Sequence, residues 1–141
     1  MATTRTAMAH WTGSLTEGRG RVSLQSSGIG TYDVSWPARA DEPNGMTSPE
    51  ELIAAAHASC FCMALSGALA KAGHTVESIE TTADVTFQPG TGITGSHLTT
   101  RATVPGLSAE QFAQFAEGAR QNCPVSKALT GTTITLDAAL A

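Results

Sequence analysis

Residues Ser48–Ser66 have the sequence SPEELIAAAHASCFCMALS, and this stretch decides the fold. Ser48 is a typical helix N-cap, Pro49 occupies the first helical position, and Glu51 completes a capping box. A long apolar run follows until Gly73, which is the residue type that commonly ends a helix. The stretch therefore predicts one long central helix that starts at Pro49.

The same helix must be tested as a membrane span. Leu52–Ala70 contains no Asp, Glu, Lys or Arg, and its length would suffice to cross a bilayer. However, it is rich in alanine, and the polar or small residues His57, Ser59, Ser66 and Gly67 dilute it further. We therefore expect a helix of a soluble protein that is buried on all sides, and no association with a membrane.

The segments on either side of this helix predict an α+β protein. Alternating patterns predict three short strands within the first 36 residues, followed by a loop over Pro37–Met46. Downstream, the patterns predict strands at Ser78–Phe87 and around Leu98–Val104, a helix opened by a capping box at Ser108–Gln111, a short helix at Val125–Leu129, and a last strand at Thr132–Ala138. Without a linker, repeat or charge run, residues 1–141 are expected to form a single domain.

Composition bounds the possible partners. Charged residues are only 14% of the 141 residues, and the formal net charge is −4. This acidic balance argues against nucleic acid, which calls for a basic patch. A small domain with few large apolar side chains buries little surface, so we expect a homodimer or larger assembly. The first residues lack the apolar core of a signal peptide, and the cytoplasm is the expected compartment.

The three cysteines are the best candidates for chemistry. An odd number in a chain with no export signal argues against a structural disulfide framework. Cys60 lies in the middle of the apolar helix, where it is either a small buried hydrophobe or a reactive thiol with a lowered pKa. Cys62 is about 200° away around the helix, so it faces the opposite side and is expected to pack.

Cys123 precedes Pro124, which is well placed at the first position of the short helix. Cys123 would then be its N-cap, where unpaired N–H groups and the helix dipole favour a thiolate. The alternative is that this cysteine merely precedes a helix break.

Other site chemistries have weaker support. His57 and Cys60 are three residues apart and share a helix face, so a metal site with Cys123 is conceivable. These three residues match no structural zinc pattern, and we predict no metal and no cofactor. No C-x-x-C motif of the thioredoxin type and no Gly-x-Ser-x-Gly nucleophile motif is present.

Several motifs in this order resemble the OsmC/Ohr family of bacterial peroxiredoxin-like proteins. They are SPEELIAAAHASCFCMALS, TTADVTF (Thr81–Phe87) and CPVSKAL (Cys123–Leu129), and AHWTG (Ala9–Gly13) and TLD (Thr135–Asp137) extend the resemblance to nearly the whole chain. The resemblance is closer to the osmotically inducible OsmC branch. It implies an OsmC-like fold, with antiparallel sheets around a long buried central helix, in an intertwined homodimer with active sites at the subunit interface.

The resemblance also implies a thiol-dependent peroxidase that prefers organic hydroperoxides. In this sequence Cys60 matches the peroxidatic cysteine and Cys123 the resolving cysteine, with which it would form a disulfide. An external dithiol, of the lipoyl type in some relatives, would reduce that disulfide. Apolar neighbours of Cys60, namely Ile53, Phe61 and Met63, would suit an alkyl hydroperoxide. The competing hypothesis is an apolar-ligand-binding or redox-sensing dimer without peroxidase turnover.

The family also places an arginine and a carboxylate at the thiol. Glu50 matches the carboxylate that orients the arginine. Arg39 stands in the loop where the OsmC branch carries that arginine, but the spacing in this part of the chain departs from the family pattern, and Arg19 and Arg21 are the alternatives. The arginine would lower the pKa of Cys60 and hydrogen-bond the peroxide oxygens.

Helix geometry creates a difficulty for this site. On a continuous helix Glu50 and Cys60 are about 15 Å apart along the axis. Either the helix breaks between them, or the contacts come from different subunits. Of these, we predict a break or irregular turn around His57–Ser59.

Overall fold

The computed structural model describes residues 1–141, which form two compact units, residues 1–52 and 53–141. The elements are β1 (Met8–Thr12), β2 (Arg19–Ser23), β3 (Thr31–Val34), α1 (Trp36–Ala40), α2 (Pro49–Lys71), β4 (Ser78–Gln88), β5 (Gly92–Thr103), α3 (Ala109–Asn122), α4 (Pro124–Ala128) and β6 (Thr133–Leu140). The predicted α+β class is confirmed. That the two units fold as one domain stays a prediction.

The first unit contains an antiparallel sheet with the order β1-β2-β3. The aromatic ring of Trp11 on β1 lies against Gly20 of β2, where an added Cβ would come within 2.6 Å of the ring. Only glycine fits this close approach. The sheet therefore fixes one face of Trp11.

The short helix α1 is a feature that the sequence analysis missed. The predicted loop over Pro37–Met46 is wrong in its first part, because Ser35 accepts a hydrogen bond from the N–H of Ala38 at 3.2 Å and caps a helical turn. Pro37 lies in the first turn of this helix, where its missing N–H costs nothing.

Helix α2 begins and ends where the sequence predicts. The hydroxyl of Ser48 accepts from the N–H of Glu51 at 3.1 Å, and the chain reverses at Gly73, which has a positive φ of 91°. The predicted break near His57–Ser59 is wrong, because α2 is continuous. The Ser59 hydroxyl bonds the carbonyl of Ala55 one turn back, which is compatible with an unbroken helix.

In the second unit, β4 pairs antiparallel with β5, and β6 joins β5 in parallel. The expectation of antiparallel sheets is therefore wrong for β6, because a helical segment and not a tight turn connects it to β5. The α3–α4 segment supplies the crossover that a parallel pair needs. One edge of α2, formed by Phe61, Leu65 and Leu69, is fully buried in the core beside α3 and β5. This core fixes the height and rotation of the cysteines on α2.

Burial of α2 within one chain is one-sided. The helix is long and apolar enough to cross a membrane by length and hydropathy. Its Phe61–Leu65–Leu69 edge packs in the core, as in the central helix of a soluble protein, but Met63 on another side is 73% exposed. The expected burial on all sides therefore requires a second surface over Met63.

Candidate active site

The structure brings Cys60 and Cys123 together. Cys60 is half-buried on α2, and Cys123 is fully buried between α3 and α4. Their thiols are hydrogen-bonded to each other, and both are reduced. Two free thiols that interact in this way are candidates to form a disulfide.

The surroundings of Cys60 oppose thiolate formation within a single chain. Burial raises the pKa of Cys60, and the hydrogen bond with Cys123 adds to this effect. The backbone N–H of Val125 donates to the Cys60 sulfur and acts in the opposite direction. An additional positive group would be needed to make Cys60 a ready nucleophile at neutral pH.

Cys123 is the N-cap of α4, and Pro124 occupies the first helical turn, as the sequence predicts. However, the Cys123 side chain makes no capping hydrogen bond. The N–H groups of the first turn of α4 were expected to favour a Cys123 thiolate. One of them, the N–H of Val125, instead donates to Cys60. The start of α4 thus contributes to the environment of the other thiol.

His57 lies one turn before Cys60 on α2 and is completely buried. Its Nδ1 is 2.6 Å from the hydroxyl of Ser96 on β5, and its Nε2 is 2.8 Å from the hydroxyl of Ser126 on α4. Burial lowers the pKa of His57, so the ring is neutral at neutral pH. Both ring nitrogens are used by serines, and no group of three His, Cys, Asp or Glu residues is placed to hold a metal ion.

Arg39 and Glu50 form a bidentate ion pair in the first unit. The Nε of Arg39 is 3.1 Å from both carboxylate oxygens of Glu50, and Nη2 is 2.9 Å from Oε2. Only 8% of the Glu50 side chain is exposed. Of the arginines considered from the sequence, Arg21 instead pairs with Asp33, where both side chains are largely exposed. Arg39 is therefore the arginine that pairs with Glu50.

The structure reveals an aromatic cleft that the sequence analysis missed. Its volume is about 360 Å³, and its lining residues are Trp11, Leu15, Val34, Ser35, Trp36, Arg39 and Pro49. The only signal in the sequence was that both tryptophans of the chain lie in the first unit.

The expected apolar neighbours of Cys60 need correction. Phe61 belongs to the buried core, because it faces another side of α2.

Cys62 lies on another face of α2 from Cys60. Its sulfur is 3.1 Å from the hydroxyl of Thr81 on β4, which is in turn 2.9 Å from the hydroxyl of Thr100. This agrees with the prediction that Cys62 packs and takes no part in the thiol pair.

The match to known proteins covers the elements that carry both thiols. Residues 42–137 match the family model described as OsmC-like protein. The chain is 43% identical over 132 residues to peroxiredoxin OsmC of Escherichia coli (strain K12), and the match covers 92% of this chain and 91% of that relative. The chain belongs to the OsmC-like family.

Further similarities agree with this assignment. The OsmC-like chain is 32% identical over 127 residues to the organic hydroperoxide resistance protein OhrA of Bacillus subtilis (strain 168), which covers 86% of this chain and 89% of that relative. Its fold matches a crystal structure of an organic hydroperoxide resistance protein from Elizabethkingia anophelis, with a TM-score of 0.75, 27% identity and full coverage of both chains. The predicted OsmC-like fold and the closer similarity to the OsmC branch are confirmed.

Proposed function

We propose that this OsmC-like protein is a thiol-dependent peroxidase that reduces organic hydroperoxides and protects the cell against oxidative stress. The observation that carries the proposal is the contact between Cys60 and Cys123, with the N–H of Val125 on the Cys60 sulfur. The relatives named peroxiredoxin OsmC and organic hydroperoxide resistance protein support the same reaction.

The reaction has three balanced steps. The Cys60 thiolate attacks the peroxide O–O bond, so that one oxygen stays on sulfur as sulfenic acid and the other leaves, after protonation, as an alcohol. The Cys123 thiol then attacks the sulfenic sulfur, forming the Cys60–Cys123 disulfide and water. An external dithiol, of which a lipoyl-type dithiol is one candidate, exchanges with this disulfide and restores both thiols.

The arginine that activates Cys60 is proposed to be Arg39, held by Glu50. On the unbroken helix α2, Glu50 and Cys60 are about 15 Å apart along the axis. We therefore infer a homodimer in which the Arg39–Glu50 pair of one subunit serves the Cys60 of the other. The exposed side of α2 at Met63, which needs a second surface, supports such an arrangement.

In this arrangement the guanidinium offsets the effect of burial on Cys60. A fixed positive charge beside the sulfur lowers the thiol pKa and favours the negative charge that develops on the peroxide oxygen. The bidentate contact with the nearly buried Glu50 fixes the plane of the guanidinium before substrate arrives. Glu50 is thus a positioning residue for Arg39.

The cleft beside Arg39 indicates the substrate class. Two tryptophans and three aliphatic side chains surround one guanidinium in a volume within the range of small-molecule sites. An alkyl chain would fill the aromatic part while the hydroperoxide group meets Arg39. We accordingly propose organic hydroperoxides over hydrogen peroxide, no cofactor, and a protein that works in the cytoplasm without nucleic acid or membrane partners.

The activity is tested by turnover of an organic hydroperoxide in the presence of a lipoyl-type dithiol. We expect Cys60→Ser to abolish turnover and the matched control Cys62→Ser to retain it, because Cys62 packs against Thr81 on β4. Full activity of Cys60→Ser would contradict the assigned nucleophile.

One observation favours a second candidate function. The pKa of Cys60 is raised within the chain, and the aromatic cleft could hold an apolar ligand in a dimer without peroxidase turnover. In that binding or redox-sensing protein, hydroperoxide would oxidise the thiols once at most, and dithiol would not sustain turnover.

A further inference from the structure

The link from His57 to Ser126 is the part of the site that no step of the reaction uses. Ser126 lies within the five-residue helix α4, directly after Val125 and three residues after Cys123. It is also the buried side chain of that helix. We propose that His57 is a positioning residue that holds α4 against α2, so that Cys123 and the N–H of Val125 stay on Cys60. This inference rests on the proposed function only for its biological purpose.

Ser126 is the one buried side chain of helix α4, and its hydrogen bond to His57 ties that helix to α2. Helix α4 is short, and no side chain caps its N-terminus. Its backbone turn is rigid, because the N–H of Lys127 donates to the carbonyl of Cys123 at 3.0 Å. An anchor at Ser126 inside this turn therefore fixes Cys123 and Val125 at the same time.

His57 is itself held from two sides. The bond to Ser96 at 2.6 Å attaches the ring to β5, and the bond to Ser126 at 2.8 Å attaches it to α4. In the neutral ring one nitrogen donates and the other accepts, and each serine hydroxyl can take the complementary role. Because His57 and Cys60 are three residues apart on α2, they are neighbours on one helix face.

The consequence concerns the second step of the reaction. Without the anchor, α4 loses its buried side-chain hydrogen bond to α2, and Cys123 meets the Cys60 sulfenic acid less often. The sulfenic acid then lives longer and reacts with a second hydroperoxide to give sulfinic acid, losing the resolving step. Loss of the anchor also loosens the N–H of Val125, which removes the one contact in the chain that lowers the Cys60 pKa.

The test uses diamide, so that it does not depend on peroxide chemistry. Diamide takes two electrons and two protons from a pair of thiols, giving a disulfide and the hydrazine. The measured quantity is the rate at which the Cys60–Cys123 disulfide forms, followed by peptide mass mapping. It is compared between reduced wild-type protein, Ser126→Ala, His57→Asn and a control, His97→Asn, which changes an exposed histidine on β5. We expect Ser126→Ala and His57→Asn to be slower by on the order of tenfold, as for loss of one buried hydrogen bond, and His97→Asn to match wild type.

Two further measurements separate positioning from general loss of structure. Ser126→Thr, which keeps the hydroxyl, should restore most of the rate, and the pH midpoint of Cys60 alkylation should rise in Ser126→Ala. Should His57→Asn fail to fold, by circular dichroism, Ser126→Ala decides the matter alone. A wild-type diamide rate in folded Ser126→Ala would overturn the proposal. A protein without peroxidase turnover that still shows these rate differences would refute the proposed function and leave the positioning role intact.

Discussion

The ion pair of Arg39 with Glu50 is the feature of the site with the most demanding geometry. Two nitrogens of one guanidinium meet both oxygens of a nearly buried carboxylate, which a lysine cannot reproduce. We predict that Arg39→Lys lowers kcat/KM for an organic hydroperoxide about a hundredfold, as expected for loss of a fixed donor in the transition state. The matched control Arg21→Lys, at an exposed pair with Asp33, should change it little. Equal losses of kcat/KM in both variants would show that Arg39 has no specific role in the active site.

His57 predicts how stability depends on pH. Its pKa in the folded protein is lowered from 6.5, so the unfolded chain takes up a proton that the folded protein does not. Protonation of His57 therefore does not affect stability at neutral pH, and it lowers stability as the pH drops below about 6.5. The gap in unfolding free energy between wild type and His57→Asn, measured in urea, should shrink from about pH 7.5 to about 5.5. A gap independent of pH would contradict a buried neutral ring.

At the scale of elements, α2 combines a core edge with an exposed edge. Leu65 is fully buried, whereas Met63 is largely exposed in the chain. We predict that Leu65→Ala lowers the unfolding free energy by about 2–5 kcal/mol, because it leaves a cavity in the core. Met63→Ala leaves no such cavity. In thermal or urea unfolding of the separated chain, it should lower the unfolding free energy much less than Leu65→Ala does. Similar losses for the two would argue against the observed rotation of α2.

The elements also show what the sequence could and could not predict. Local signals sufficed for α2 and for α3, where Ser108 and Gln111 form the predicted capping box. The helix α1 was missed because its N-cap Ser35 directly follows a strand-like pattern. His57 forms hydrogen bonds with Ser96 and Ser126, which lie 39 and 69 positions further along the chain. No local sequence pattern predicts contacts between residues so far apart.

The break expected in α2 was wrong for a different reason. A single arginine can contact both Glu50 and Cys60 within one chain only if the helix breaks, but no helix-breaking residue lies between them. Alanines dominate that segment, and alanine has the highest helix propensity. Helix propensity therefore favours a continuous helix, and this is why we propose that Arg39 reaches Cys60 from a second subunit.

At the scale of the whole molecule, the proposed active site requires residues from two subunits. Two inactive variants, Cys60→Ser and Arg39→Ala, test this by mixing in denaturant and refolding together. In half of the resulting dimers one site would combine an intact Cys60 with an intact Arg39 from the other subunit, so roughly a quarter of the wild-type activity should return. Each variant refolded alone is the control. No recovery, with mixed dimers shown by mass spectrometry, would contradict sharing between subunits.

The central claim is that Cys60 and Cys123 form one redox pair driven by hydroperoxide. It is tested most directly by peptide mass mapping of the reduced protein after one equivalent of an organic hydroperoxide, with the remaining thiols blocked afterwards. We predict a Cys60–Cys123 peptide two mass units below the sum of the two thiol peptides, because disulfide formation removes two hydrogens. Cys62 should be recovered in its blocked, unoxidised form. A Cys60 that stays reduced, or a link that involves Cys62 in its place, would contradict the account.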